Sequence, residues 1–298
     1  MKKLSNNKKI SEVLAGYSFM LPALLVVGIF LFLPIICAIF LAFYKVRILG
    51  EISYTNIGLR NFIRIMADER VWIALKNTAE YVAIVVPSQT ILALILALIL
   101  NAKIKGKNWF RIIFFLPTIT SASVLTLIFM WIYNSNGLLN NFLAFIGLPT
   151  YNWLENPSVA LKAIMLMNIW STAPFFMVIY LAALQDIPET LYEAATIDGA
   201  SWWDKFVCIT LPFLKSVTFF IVVMSIIGTF QLFDQSYILS RGSGGPNNST
   251  LTVVLLIYQY AFKSLDMGYA AALAMMLALV IMIVTLIQRY WFKEERFN

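Results

Sequence analysis

Residues 17–44 read YSFMLPALLVVGIFLFLPIICAIFLAFY, from Tyr17 to Tyr44, without one Asp, Glu, Lys or Arg. About 20 apolar residues are enough for a helix to cross a hydrocarbon core of about 30 Å. Lys2, Lys3, Lys8 and Lys9 precede the run, as they would precede a secretory signal. The run is too long for a signal core, however, and no small-residue cleavage site follows it. It is expected to be a retained first span behind a cytoplasmic tail of residues 1–16.

The pattern recurs at 78–101, 111–133, 161–184, 216–239 and 268–291, giving six segments of spanning length. Hydrocarbon offers no partner to a free backbone N–H or C=O, so each segment is expected to be a helix. Composition agrees: 61% of the chain is hydrophobic and 12% is charged, about half the charged share of a soluble domain. The expected fold class is therefore an all-α integral membrane protein, with residues 17–298 forming one domain of six transmembrane helices.

Several kinds of chemistry are disfavoured. The chain has no histidine, which removes the commonest general base, proton shuttle and metal ligand. Cys37 lies in an apolar run and Cys208 in a loop, so no disulfide is expected. The acids are scattered through loops, so a membrane-embedded enzyme would lack converging carboxylates or a metal site. No catalytic residue, metal or cofactor is expected, nor any nucleic-acid partner. No charge falls in the span cores, where it would cost at least about 2.5 kcal/mol and mark an ion or proton route. That argues against an ion-coupled carrier working alone and suits a neutral substrate driven from outside the membrane. There is no P-loop lysine motif, so the chain does not bind ATP by that route.

Lys and Arg in short loops set the orientation. The N-terminal tail, the loop with Lys103, Lys105, Lys107 and Arg111, and the end with Arg289, Lys293 and Arg296 are basic, while Ser135–Pro157 has no Lys or Arg. Both termini are therefore expected in the cytoplasm. The loop Lys45–Arg70 dissents with five basic residues, but it is long and acids are mixed in. On the outer side, the turn-rich stretch from Arg241 leads into Leu251–Phe262, expected as a helix lying on the outer surface.

The cytoplasmic segment 186–212 carries the most functional information. It reads as two short helices. Asp186 is expected to cap the first, Gly199 to end it in a left-handed conformation, and Ser201 with Asp204 to cap the second. Leu211-Pro212 is expected to stop the second helix and start span 5. Ala194 and Ala195 allow close approach of another backbone, and Glu193 offers a charge. Trp202, Trp203 and Phe206 suit either a docking face or the membrane interface.

Glu193-Ala194-Ala195, Asp198-Gly199-Ala200 and Ile209-Thr210-Leu211-Pro212 together resemble the "EAA" loop of binding-protein-dependent ABC importer permeases. Gly244-Gly245-Pro246, Asn168-Ile169-Trp170 and Met267-Gly268-Tyr269 are similar to motifs of the maltose- and glycerol-phosphate-type sugar permeases, and the resemblance covers nearly the whole chain. It implies the type I importer permease fold and a place in a bacterial inner or plasma membrane. It also implies a heterodimer with a second, homologous permease, two ATPase subunits beneath, and an extracytoplasmic binding protein that delivers sugar. The ATPase-coupling residues it implies are Glu193, Ala194, Ala195, Asp198, Gly199, Ala200, Trp202, Leu211 and Pro212.

A route for sugar is sought among uncharged polar groups at mid-depth. Span 4 offers Asn168 and Thr172 with Phe175 beside them, and span 5 offers Ser225, Thr229 and Gln231. Hydroxyls and amides pair with sugar hydroxyls, and aromatic rings stack on sugar faces. The same residue types also serve plain helix–helix packing. By resemblance Asn168 matches the sugar-holding pattern directly, while Thr172, Phe175, Ser225 and Thr229 match in position. Glycerol-3-phosphate is the alternative cargo within the family, although no arginine lies at mid-depth to meet a phosphate.

Overall fold

The computed structural model describes residues 2–47, 53–55, 58–102 and 106–293. Lys103, Lys105 and Arg296, used above for orientation, lie outside the described residues. The helices are α1 (Lys2–Val27), α2 (Leu33–Ala42), α3 (Arg60–Ala67), α4 (Glu69–Asn101), α5 (Lys107–Ile119), α6 (Ala122–Ile132) and α7 (Leu138–Phe145). They continue with α8 (Pro157–Gln185), α9 (Glu189–Ile197), α10 (Trp202–Lys205), α11 (Leu211–Phe230), α12 (Asp234–Leu239), α13 (Val253–Tyr258) and α14 (Met267–Lys293). Between α2 and α3 lies a small antiparallel hairpin, β1 (Lys45–Arg47) with β2 (Ser53–Thr55), in which Val46 faces Tyr54.

Among the described residues five helical stretches are long and apolar enough to cross a membrane: Ser11–Ala42, Glu69–Asn101, Pro157–Gln185, Trp202–Leu239 and Met267–Tyr290. The expected third span is not one straight helix. Trp109–Ile119 and Ala122–Ile132 are bent by 98°, with Thr120 and Ser121 in extended conformations between them. Pro117, with no N–H to give, ends the regular ladder just before the bend. The fifth span also breaks, at Gln231–Phe233 between α11 and α12.

Proline is accommodated differently in the first and fifth spans. A π turn, Gly28–Phe32, precedes Leu33-Pro34, and another, Phe206–Thr210, precedes Leu211-Pro212. The N–H of Leu33 donates to the Gly28 carbonyl and that of Leu211 to the Phe206 carbonyl, each five residues back. A proline ring clashes with the carbonyl four residues back, and widening the turn by one residue relieves that contact. Contrary to expectation, Leu211-Pro212 therefore does not stop the second short helix; α10 passes through the π turn directly into α11.

The chain divides into two compact units, one of residues 1–66 with 260–276 and the other of 67–259 with 277–298. In the first, the Asn61 side-chain amide donates to the carbonyls of Ala42 at 2.9 Å and Tyr44 at 3.0 Å, satisfying the end of α2. Arg64 donates to Asp266 Oδ2 at 2.6 Å and lies 3.9 Å from the centroid of the Tyr269 ring. Burial works against the Arg64 cation, but the Asp266 hydrogen bond and charge more than offset it and raise its pKa. A Cβ on Gly268 would stand 2.1 Å from the Tyr44 carbonyl oxygen, so only glycine fits there. The most apolar window of Ser11–Ala42 has 0% of its residues buried inside the chain.

The second unit is organised on α4 and α8, which pack along one another, with α11 against both. Ala93, Ala97 and Ala173 sit at that contact and let the backbones approach, and Phe176, Met177, Tyr180, Leu214 and Ile221 fill the remainder. The expected surface helix of 251–262 is a correction. Val253, Leu255 and Leu256 of α13 are buried, and the segment is tied to α4 by polar contacts. Asn77 Nδ2 donates to the carbonyls of Asn248 at 2.8 Å and Leu251 at 3.0 Å, and the Val253 N–H donates to Thr78 Oγ1 at 3.2 Å. Paired this way, the backbone entering α13 needs no water and the helix can be buried.

Candidate functional site

The segment 186–212 folds as a short helix, a glycine corner and a second helix that runs on into α11. Asp186 is the C-cap of α8 rather than the N-cap of α9, where Pro188 stands without a side-chain hydrogen bond. α9 therefore starts from a proline N-cap, with Glu189 placing a negative charge in its first turn. At the other end Gly199 takes φ +78°. The Gly199 N–H donates to the Thr196 carbonyl at 3.1 Å and the Ala200 N–H to the Ala195 carbonyl at 2.8 Å. These two bonds are the Schellman pattern that closes a helix. Ser201 and Asp204 then form a reciprocal capping box.

Glu193, Ala194, Asp198 and Gly199 are exposed, Ala195 and Ala200 half-buried, and Leu211 and Pro212 exposed at the base of α11. Trp202 is 67% exposed and stacks on Phe206 with ring centroids 5.5 Å apart and planes 2° from parallel. The result is a projecting corner with an acid, two alanines and an aromatic stack on its outer side. Trp202, Trp203 and Phe206 thus leave an apolar stack on the surface of the chain, which suits either a docking face or the membrane interface.

Further along α11, the structure brings Asn168, Thr172, Phe175, Ser225, Thr229 and Gln231 to one cavity of about 420 Å³. Its walls come from α4, α8, α11, the start of α12 and the corner formed by α5 and α6, where Thr118 lies in the last turn of α5 and Thr120 in the bend. Thr229 Oγ1 donates to the Ser225 carbonyl at 2.7 Å, so its proton is held within the helix. Thr172 Oγ1 lies 2.8 Å from the Asn168 carbonyl and 2.5 Å from Gln89 Oε1. A hydroxyl has one proton, so only one of these oxygens receives it. By contrast Ser225 Oγ and Tyr81 Oη are buried, belong to residues lining the cavity and have no hydrogen-bond partner among the described residues. Phe175, 48% exposed, offers a ring face beside them. Among the residues lining the cavity the one charge is Asp234, which is exposed.

Sequence reasoning missed Tyr81, Gln89, Thr118 and Thr120. Tyr81 and Gln89 lie eight apart on α4, two turns along the helix, each among apolar neighbours such as Val82, Val85 and Val86, and that spacing was the available signal. Thr118 and Thr120 were read as part of an unbroken span; the bend turns them toward the cavity. The cavity offers hydroxyl, amide and aromatic groups but no nucleophile–base pair, which suits holding a solute rather than breaking a bond.

Residues 89–294 match the family of binding-protein-dependent transport system inner membrane components. The lactose transport system permease protein LacF of Rhizobium radiobacter is 35% identical over 94% of this chain and 95% of its own length. The trehalose/maltose transport system permease protein MalF of Thermococcus litoralis is 34% identical over 99% and 98%. The arabinooligosaccharides transport system permease protein AraP of Bacillus subtilis is 36% identical over 93% and 88%. The fold is similar to a chain in the crystal structure of a bacterial alginate ABC transporter in complex with an alginate pentasaccharide-bound periplasmic protein. That likeness has a TM-score of 0.81 at 24% identity and covers 95% of each chain; it shows the type I permease fold expected from the resemblance. With matches over nearly its full length, the chain belongs to the binding-protein-dependent transport system inner membrane components, as a multi-pass membrane transport subunit and not an enzyme.

Proposed function

We propose that this chain is one of two homologous membrane subunits through which an ATP-driven importer passes a neutral oligosaccharide into the cytoplasm. The observation that carries the proposal is the cavity. Its lining brings together amides, hydroxyls and an aromatic face, with buried Ser225 and Tyr81 hydroxyls left unpaired among the described residues. A buried polar group without a partner costs about 1–3 kcal/mol, and a sugar hydroxyl would recover much of that once movement of α4 and α11 opened these two hydroxyls to the cavity. Relatives named for lactose, trehalose/maltose and arabino-oligosaccharide transport support a saccharide cargo. The cavity has no Lys or Arg among its lining residues and does have Asp234, which disfavours glycerol-3-phosphate and acidic glycans.

In the cycle that follows, a binding protein delivers sugar from outside, and both termini face the cytoplasm. Of two separate ATPase subunits, one docks on α9 and the corner after it through Glu193, Ala194, Ala195, Asp198, Gly199 and Ala200, with Trp202, Leu211 and Pro212 flanking, and the other docks on the second permease. Closure of the ATPases moves α9, and the span helices shift between inward-open and outward-open arrangements. Asn168, Thr172, Phe175, Ser225, Thr229 and Gln231 face the sugar during passage. The apolar first span, unburied in the chain, contacts lipid or the second permease. The test is uptake by vesicles containing the whole complex, with lactose, trehalose, arabinotriose and an alginate trisaccharide as probes. Uptake of a neutral sugar and not of the alginate fragment is expected; preference for the acidic sugar would overturn the reading of the cavity.

A further inference from the structure

Tyr192 stands one residue before Glu193 on α9. Glu193 is exposed, whereas Tyr192 is half-buried against the core built by α4, α8 and α11. Its hydroxyl lies 2.8 Å from Thr210 Oγ1. Thr210 is 4% exposed and is the last residue of the π turn Phe206–Thr210. Its hydroxyl also reaches the Lys205 carbonyl, at 3.4 Å, where that turn begins. A second tie, Lys205 Nζ to Thr196 Oγ1 at 2.8 Å, crosses between the same helices but is exposed. Water competes for an exposed pair, and the half-buried Tyr192–Thr210 pair is the stronger of the two.

The π turn is the weak point between the projecting corner and α11. Pro212 cannot donate a hydrogen bond, so the ladder is interrupted where a force from α9 would have to cross it. Beyond the turn α11 runs without a break to Phe230 and places Ser225 and Thr229 in the cavity wall. At 1.5 Å per residue Ser225 stands about 22 Å from Thr210 along the helix. A rigid helix of that length moves its far end whenever its base is moved.

We propose that the Tyr192–Thr210 hydroxyl pair is the joint that carries movement of α9 across the π turn into α11 and so to the cavity wall. Tyr192 is then a positioning residue for coupling ATP hydrolysis to sugar passage, in addition to the exposed residues of α9. The proposal rests on the reading of α9 as the ATPase-docking helix.

The test uses the whole complex in vesicles, with uptake of radiolabelled lactose, trehalose and arabinotriose measured alongside ATP hydrolysis. Y192F keeps the ring and its packing and removes one hydroxyl. It is expected to assemble and hydrolyse ATP, while sugar moved per ATP falls about two- to tenfold, the factor carried by one hydrogen bond. T210V is expected to do the same, the double variant to be no worse than either single one, and T210S to retain coupling. A wild-type ratio of sugar to ATP in Y192F overturns the joint. So does a parallel fall in hydrolysis, uptake and recovered complex, which would mean that the pair only holds the fold. If no ATPase is recovered with the unaltered chain, or none of the sugars is taken up, the docking reading fails and the joint fails with it. If both are observed and Y192F is normal, the joint alone fails.

Discussion

Replacing Gly199 with valine perturbs the corner of segment 186–212 without touching the cavity. Gly199 holds φ +78°, and a Cβ built on it meets nothing within 4 Å. Steric contact with neighbours therefore adds nothing, and the whole effect is conformational. A non-glycine residue in the left-handed region costs about 1–2 kcal/mol, and a β-branched one is the worst case. The alternative is to leave that region and lose the Schellman bonds from Gly199 and Ala200, at about 0.5–1.5 kcal/mol each. The end of α9 is thus destabilised locally by about 1–2 kcal/mol, which multiplies its opened fraction roughly 5- to 30-fold. The span helices are untouched, so the amount of protein in the membrane fraction stays near normal. Gly199→Val is expected to lower sugar uptake per ATP about fivefold or more in reconstituted vesicles. Gly199→Asn, which tolerates the left-handed conformation, is expected to stay within twofold of the parent. Normal uptake per ATP by the valine variant would refute the idea that a rigid α9 transmits the ATPase movement.

Three further changes separate the parts of the account. Ser225→Ala removes a buried hydroxyl that has no partner among the described residues, so thermal stability in detergent should be unchanged or slightly higher. The KM for uptake of the transported sugar should rise about tenfold, the loss of one hydrogen bond to a buried group; an unchanged KM would remove Ser225 from the route. Gly268→Ala places a methyl group 2.1 Å from the Tyr44 carbonyl. It should cost about 1–3 kcal/mol through forced backbone shifts, read as a lower melting temperature of the detergent-solubilised protein, whereas parent-like melting would show that the contact is easily relaxed. Asp234→Asn removes the one charge among the cavity-lining residues. Because Asp234 is exposed and screened, an acidic competitor such as alginate trisaccharide should gain only about two- to fivefold in inhibiting uptake; no gain would mean the charge does not guard the mouth.

The long apolar runs were legible because a bilayer demands a repeated, uninterrupted signal, and α4, α8 and α14 lie where hydropathy places them. What hydropathy could not give was the course of the chain inside a run. The 98° bend at Thr120 and Ser121 is invisible to an average over about 20 residues, and so are the π turns before Pro34 and Pro212. The corner at Gly199 was legible for a different reason: glycine, serine and aspartate at cap positions each have a specific backbone role. Asp186 was misplaced because α8 runs on to Gln185 and takes Asp186 as its C-cap, which leaves Pro188 as the N-cap of α9. Leu251–Phe262 was misjudged because its polar ties to Asn77 and Thr78 span more than a hundred residues, a distance that local pattern does not reach. Asn168, Thr172, Phe175, Ser225, Thr229 and Gln231 could be picked as polar or aromatic groups at mid-depth, but only the packing of α4 and α8 brings Tyr81 and Gln89 in beside them.

The central claim is that this chain works as one membrane subunit of an ATP-driven sugar importer. It is tested most directly by purifying the chain from its native membranes in mild detergent, identifying what accompanies it, and measuring ATP hydrolysis on adding binding protein and neutral oligosaccharide. The account predicts a second, homologous permease and an ATPase in the same complex, with hydrolysis rising when sugar-loaded binding protein is supplied. A chain recovered alone or as a homo-oligomer under several detergents, moving sugar in vesicles without ATP, would contradict it.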